Sequence, residues 1–153
     1  MLKIYNIKDR QEYLKEVAEL TQKEWGKQIT SPMEFATKIN KKIAKIIQNF
    51  DNPLYCKLLL LDDSTLIGFI SIFPTDGEER KDLSPWYATM FVKKAYRGNG
   101  FSKILHNAIL EEAKKRGIYK LYLKTTLNHY YEKLGAKFLG YLKSGEKLYY
   151  FSL

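Results

Sequence analysis

A glycine-rich junction between a strand pattern and a helix pattern constrains this chain more than any other feature. The apolar run Ala88–Val92 is followed by Tyr96–Ser102 and then by a long amphipathic pattern. Gly98 and Gly100 allow backbone conformations that strain other residues, and they let a ligand approach closely. The first N–H groups of a helix lack intrahelical partners, and the helix dipole favours negative charge there. With Arg97 adding positive charge, the junction predicts a site for an anion such as a pyrophosphate.

The composition bounds the class of protein. A chain of 153 residues with 45% apolar content is expected to form one domain, residues 1–153. The single cysteine, Cys56, rules out an intrachain disulfide and suits a reducing cytoplasm, where we expect the protein. The two histidines and scattered acids have no metal-ligand spacing, so we expect no metal site. No segment resembles a signal peptide or approaches the roughly 20 apolar residues of a membrane span.

The apolar periodicity predicts the element order β-α-α-β-β-β-α-β-α-β-β. This order describes an α/β fold with a mixed sheet, mostly antiparallel, in which one βαβ unit pairs its two strands in parallel. The predicted strands are Leu2–Ile7, Tyr55–Leu61, Leu66–Phe73, Pro85–Val92, Ile118–Leu123, Ala136–Leu142 and Glu146–Leu153; the predicted helices begin at Asp9, Ser31, Phe101 and Leu127. The ligand site is expected at the carboxyl end of the βαβ unit's first strand, where the glycine junction lies.

Two short motifs resemble those of the GNAT N-acetyltransferase superfamily. Arg97-Gly98-Asn99-Gly100-Phe101-Ser102 is similar to the family pattern [Q/R]-x-x-G-x-[G/A], with a serine where Gly or Ala is usual. Tyr131–Ala136 is similar to the family segment Y-E-K-x-G-F, with alanine in place of the aromatic residue. The motifs together are far more specific than either alone. One departure is Lys124, where relatives often carry asparagine; Asn128 is nearby in another register.

The resemblance implies acetyl-CoA as co-substrate and assigns residues to it. Backbone N–H groups of the 97–102 turn would bind the pyrophosphate, and the backbone of the fourth strand would pair with the pantetheine amides. Tyr131, at the family's tyrosine position, would protonate the departing thiolate. Asn128 is either a further cofactor contact or the cap of the short helix predicted at Leu127–Leu134. The cofactor-binding residues so predicted are Phe91, Val92, Arg97, Gly98, Asn99, Gly100, Phe101, Ser102 and Asn128.

The sequence leaves the general base and the acceptor open. Carboxylates of the loop before the fourth strand, a histidine, or a water relay could each accept the amine proton. The first two helices, the loop between them and the loop Pro74–Pro85 should form the acceptor pocket. The candidate bases are Glu78, Glu79, Asp82, His106 and His129, and the candidate aromatic lining residues are Trp25, Phe35, Trp86 and Tyr87.

Four functions compete at this point. The first is acetylation of a primary amine on a small molecule or peptide, and the second is acetylation of an aminoacyl-tRNA or a protein lysine, drawing on the net charge of +9. The third is a non-catalytic module that binds CoA. The fourth, a basic nucleic-acid-binding protein, is not expected because the chain lacks a helix-turn-helix or RNP signature. Homodimers are common in the family, but nothing in the sequence demonstrates one.

Overall fold

A computed structural model describes all residues, 1–153, as seven strands and three α-helices. The elements are β1 (Leu2–Asn6), α1 (Leu14–Trp25), α2 (Pro32–Gln48), β2 (Cys56–Asp62), β3 (Thr65–Phe73), β4 (Trp86–Val92), α3 (Phe101–Lys115), β5 (Lys120–Thr125), β6 (Lys137–Tyr141) and β7 (Lys147–Ser152). The strands form one sheet in the order β1-β2-β3-β4-β5-β7-β6. None of the helices is long and apolar enough to cross a membrane.

The predicted α/β fold class is confirmed, with three differences in detail. Only the β4–β5 pair is parallel and all other neighbours are antiparallel, as the predicted βαβ unit requires. The first difference is that the final strand, β7, inserts between β5 and β6, which the sequence did not predict. Residues 7–13 form two 3-10 turns before α1 instead of the start of that helix.

The third difference concerns the helix predicted at Leu127–Leu134, which is wrong. This segment contains only one 3-10 turn, Glu132–Leu134. His129 has a φ of 63°, a left-handed conformation that interrupts a right-handed helix. Gly135, with a φ of 100°, then ends the turn. The eight residues are too few to form a stable helix against this interruption.

The helices cover both faces of the sheet and bury two apolar clusters. On one face, α3 packs Leu105 and Ile109 against the sheet. On the other face, α1 and α2 contribute Val17 and Ile46 to a second cluster. Successive residues of a strand point to opposite faces, so β4 contributes to both clusters and is anchored from both sides.

A β-bulge in the middle of β4 shapes the sheet. Ala88 pairs with Ser71 and Phe91 pairs with Phe69, so Thr89 and Met90 together oppose a single residue of β3. Thr89 has a φ of 49°, which is unusual for a β-branched residue. A bulge bends its strand and ends regular pairing.

The bent strand β4 pairs with β5 at a single parallel register position, Trp86 with Tyr122. Past this pair, towards the carboxyl ends, the two strands have no further register. The backbone groups of residues 88–92 that face β5 therefore have no ladder partner. This leaves an open edge in the middle of the sheet.

We predict that Gly68→Ala destabilises the fold strongly, because Gly68 lets β3 approach β4 closely. A Cβ at this position would lie 2.2 Å from the Phe91 carbonyl oxygen and 3.2 Å from Leu105 Cδ1. Backbone cannot move aside as a flexible side chain can, so the free energy of unfolding should fall by about 3 kcal/mol. Urea denaturation monitored by circular dichroism measures the change.

Gly117→Ala is the control, because Gly117 has a φ of 74° and no atom within 4 Å of its Cβ position. It should lose only about 1 kcal/mol, the cost of a left-handed alanine. Equal losses in the two variants would contradict the proposed close approach.

Candidate functional site

The turn between β4 and α3 presents its glycines to solvent. Gly98 and Gly100 have φ values of 80° and 79°, so each adopts the left-handed conformation that favours glycine. Both residues are exposed, and no atom lies within 4 Å of the position that a Cβ would take at either one. The turn therefore offers open space directly above its backbone.

The N-terminus of α3 begins at this turn without a side-chain cap. Its N-cap residue is Gly100, which cannot supply a side-chain acceptor. The neighbouring Asn99 instead donates its amide to the carbonyl oxygens of Tyr96 and Arg97, at 3.0 and 3.2 Å. Asn99 thus braces the turn, and the first N–H groups of α3 stay available for an anion.

Arg97 ties the turn to the end of β4. Its Nε donates a hydrogen bond of 2.9 Å to the carbonyl oxygen of Val92, and its guanidinium lies 5.8 Å from the centroid of the Phe91 ring. This contact gives a physical reason for the five-residue spacing between Val92 and Arg97. The side chain is otherwise exposed, so its positive charge remains at the mouth of the turn.

The side chains of Phe91 and Val92 pack on opposite faces of the sheet. Phe91 stacks on Phe69 at 5.3 Å beneath α1, and Val92 joins the cluster beneath α3. The Phe91 carbonyl oxygen lies against Gly68 of β3, so this group does not face the edge that β5 leaves unpaired. The contact of the Phe91 and Val92 backbone with a cofactor stays a prediction.

Tyr131 is half-buried on the α3 side of the sheet. Its ring meets the rings of Tyr87 and Tyr130 edge-on, at 5.8 and 4.9 Å. Burial, with a smaller contribution from Tyr130, raises the pKa of Tyr131 to about 12. Its hydroxyl makes no hydrogen bond within the protein, whereas the hydroxyl of Tyr87 bonds Nδ1 of His106 at 2.9 Å. Tyr130 is the more exposed of the adjacent pair.

Asn128 lies in the loop after β5 and already has a partner. Its Oδ1 accepts a hydrogen bond from the Lys147 ammonium. It caps no helix, because the predicted helix is absent. Its assignment to the cofactor therefore stays a prediction, one that would require the amide to leave this lysine.

The carboxylates predicted as candidate bases are engaged in surface contacts. Glu79 accepts two hydrogen bonds from the Lys143 backbone N–H, at 2.8 and 3.1 Å. Glu78 pairs with Lys81 at 2.8 Å, and Asp82 with Arg80 at 3.0 Å. Hydrogen bonds from these cations lower the pKa of Glu78 and of Asp82. Both groups are therefore weakened as bases.

The two histidines are also held by neighbours. His106 is buried, and this burial lowers its pKa. His129 is exposed and lies 3.3 Å from Glu132. Neither histidine lines the cavity between α1, α2 and the sheet. No group of three or more His, Cys, Asp or Glu side chains is placed to hold a metal ion.

That cavity, of about 430 Å³, lies between α1, α2 and the sheet. It reaches Pro74 and Thr75, so it occupies the region where the sequence predicted an acceptor pocket. None of the four aromatic residues predicted to line this pocket lies in its wall. The aromatic residues that line it are Tyr55 and Phe73. The bulge residue Thr89 forms part of the wall. The cavity therefore adjoins the unpaired part of β4.

Lys57 is the residue of this cavity that sequence reasoning missed. It is 3% exposed, and its ammonium donates to the Ser71 hydroxyl at 2.6 Å and lies 5.2 Å from the ring centroids of Phe69 and Phe73. Burial lowers the pKa of Lys57 to about 7. The available signal was a lysine inside the apolar run Cys56–Leu61, since a central strand has little room for a solvated charge.

Comparisons with known proteins agree with this arrangement. Solved structures with the same fold include an aminoglycoside 6'-acetyltransferase type Ii (TM-score 0.70, 23% identity, covering 98% of this chain and 96% of that chain). Another is the PaiA N-acetyltransferase of Thermoplasma acidophilum in complex with coenzyme A (TM-score 0.67, 23% identity, covering 100% and 99%). A third is an aminoglycoside 6'-N-acetyltransferase complexed with coenzyme A (TM-score 0.71, 20% identity, covering 98% and 96%).

Curated protein sequences give no match. The family model for the acetyltransferase (GNAT) family matches residues 14–136, which span α1 through the turn before β6. The glycine turn, the bulged strand and Tyr131 all lie within this match. The chain therefore belongs to the GNAT acetyltransferase family.

Proposed function

We propose that this protein is an N-acetyltransferase that moves the acetyl group of acetyl-CoA to a primary amine of a small molecule or a peptide by direct attack. The observation that carries the proposal is the turn 97–102, in which two left-handed glycines and an uncapped helix N-terminus follow directly on an unpaired strand edge. Family membership and the coenzyme A complexes of two structural relatives support the same cofactor.

The residues of the turn fit a pyrophosphate. The N–H groups of residues 98–102 and the Ser102 hydroxyl would donate hydrogen bonds to its oxygens, in the open space above Gly98 and Gly100. The backbone of Phe91 and Val92 would pair with the pantetheine amides as an added strand would. When bound, acetyl-CoA supplies the thioester carbonyl that the amine attacks.

The bulged part of β4 would stabilise the developing charge on the acetyl oxygen. Its backbone N–H groups on the β5 side have no ladder partner, so they can donate to an oxyanion without first losing a hydrogen bond. The packing of Phe91 and Val92 on opposite faces fixes this backbone in place. Fixed donors stabilise charge better than mobile ones because they need no reorganisation.

Tyr131 would donate its proton to the departing sulfur. Its pKa of about 12 keeps the phenol protonated at neutral pH. The pKa of a free thiol is about 8.5, so proton transfer from this phenol to the thiolate is uphill, and the phenol must regain a proton afterwards. Water would carry the proton that the attacking amine loses to the phenol, which balances the proton given to the sulfur.

The acceptor would bind in the cavity between α1, α2 and the sheet, beside Thr89. The amine must be uncharged to attack. None of the predicted carboxylate or histidine bases lines the cavity, so water would carry the amine proton away. Thiol release from acetyl-CoA with a panel of amines tests the function, and a complete absence of transfer with retained CoA binding would leave a non-catalytic module.

We predict that Tyr131→Phe lowers kcat about 100-fold, because the leaving thiolate loses its proton donor. The affinity for CoA should change little, since the ring and its packing on Tyr87 remain. Single-turnover thiol release and calorimetric titration with CoA measure the two effects separately. Tyr130→Phe is the matched control and should retain full turnover. Equal kcat in the Tyr131 variant and the parent would remove its catalytic role.

We predict that Gly98→Ala weakens CoA binding by at least about tenfold, because a Cβ would enter the open space and disfavour the left-handed turn. Gly117→Ala places the same strain at the other end of α3 and should leave CoA affinity unchanged. Titration calorimetry with CoA compares the two variants. An unchanged affinity in Gly98→Ala would show that the pyrophosphate lies elsewhere.

A further inference from the structure

We propose that the acceptor amine carries an anionic group, a carboxylate or a phosphate, which binds Lys57 together with Lys42 and Lys45 in the cavity beside β4. The inference rests on the proposed function, because it assigns this cavity to the acceptor. It adds the chemical class of the substrate, which neither the family nor the fold specifies.

The charge of the cavity wall is the first argument. Three lysines line it, and no aspartate or glutamate does. None of the three forms a salt bridge within the protein, whereas most ion pairs of this chain lie on its outer surface. Burial and the neighbouring charges of Lys38 and Lys45 lower the pKa of Lys42. Such a concentration of cations around one cavity attracts an anion.

The second argument is the burial of Lys57 without a counterion. A buried ammonium is costly unless it is paired, which is why burial lowers the pKa of Lys57 to about 7, and an anion beside it would favour the charged form. Lys57 makes one short hydrogen bond, to Ser71, and the next hydroxyl, Thr89 Oγ1, is 3.5 Å away. An ammonium has three N–H donors, so at least one is available to the cavity. A carboxylate or phosphate oxygen would supply the missing partner.

The third argument is the short path from Lys57 to the proposed site of attack. Thr89 donates to Ser71 at 2.6 Å, and Ser71 accepts from Lys57 at 2.6 Å. Thr89 is also the bulge residue of β4, next to the unpaired edge. The hydroxyl groups of Ser71 and Thr89 therefore connect an anion bound at Lys57 to the strand that would present the acetyl group.

The same charges disfavour a polycationic acceptor. Two structural relatives are aminoglycoside acetyltransferases, and aminoglycosides carry several ammonium groups. Three lysines without carboxylates would repel such a molecule. The shared fold therefore does not extend to a shared acceptor, and we infer that this chain acts on a different chemical class.

Matched pairs of amines test the inference. O-phosphoethanolamine is compared with ethanolamine, and β-alanine is compared with its amide. The members of each pair differ in the anionic group. Kanamycin serves as the polycationic acceptor. We expect kcat/KM to be at least about tenfold higher for the anionic member of one pair. The pair that responds identifies phosphate or carboxylate. Equal or better transfer to the uncharged members, or to kanamycin, would overturn the proposal.

Lys57→Met separates anion binding from other roles of this lysine. The methionine keeps an unbranched chain, one atom shorter, between Phe69 and Phe73, and the Ser71–Thr89 hydrogen bond remains, so the variant should fold with an unchanged or higher melting temperature. We expect kcat/KM to fall about 10- to 100-fold for the anionic amine and much less for its uncharged partner. Equal losses for both would indicate a general base or a structural role and refute the anion site.

Lys41→Met is the control for lost charge, because Lys41 lies exposed on α2 outside this cavity and should leave both rates unchanged. A binding measurement separates the two proposals. Without acetyl-CoA, O-phosphoethanolamine or β-alanine should raise the melting temperature of the parent but not of Lys57→Met. Such a shift with no acetyl transfer to any amine would reject only the proposed function. No shift and no preference for anions would reject the anion site.

Discussion

The bulge in β4 is the constraint on which the rest of the site depends. One extra residue opposite β3 bends the strand away from β5 after a single parallel pair. If β4 remained regular, it would pair with β5 along its length and its backbone groups would be satisfied. The bend instead leaves donors and acceptors unpaired in the middle of the sheet. It also directs the chain into the glycine turn, where α3 begins without a cap.

The hydroxyl pair of Ser71 and Thr89 couples this bulge to the cavity. Thr89 adopts a conformation that a β-branched residue rarely takes, and its hydrogen bond to the fully buried Ser71 compensates part of the strain. Lys57 completes the cluster from β2. Two members of this cluster, Lys57 and Thr89, also line the cavity that we propose for the acceptor. A change in one of them alters both the strand and the pocket.

The sequence predicted the parts of the site that local rules govern. Gly98 and Gly100 signalled the turn because few other residues accept its backbone angles. Alternating and helical periodicities identified the β2–β3 hairpin and α3. Ser31 marked the start of α2 correctly, since its hydroxyl accepts the Glu34 N–H.

Other features depend on residues that are distant in the chain and could not be predicted from the sequence. The position of β7 between β5 and β6 is a long-range pairing. The engagement of Glu79 by the Lys143 backbone spans 64 residues. The bulge at Thr89 has no glycine to mark it. Lys57 was visible as a charge within an apolar run, but its lack of a counterion required the positions of all the acids.

Three local rules that this chain breaks are broken in or beside β4, which argues that these violations serve binding. Thr89 has a positive φ inside a strand, Lys57 is buried without an acid, and Gly100 leaves a helix end uncapped. Each costs stability on its own. A cofactor with its pyrophosphate at the glycine turn would satisfy the free amides of α3. An anionic amine beside the bulge would satisfy the ammonium of Lys57. The free protein therefore keeps unpaired the groups that a ternary complex would pair.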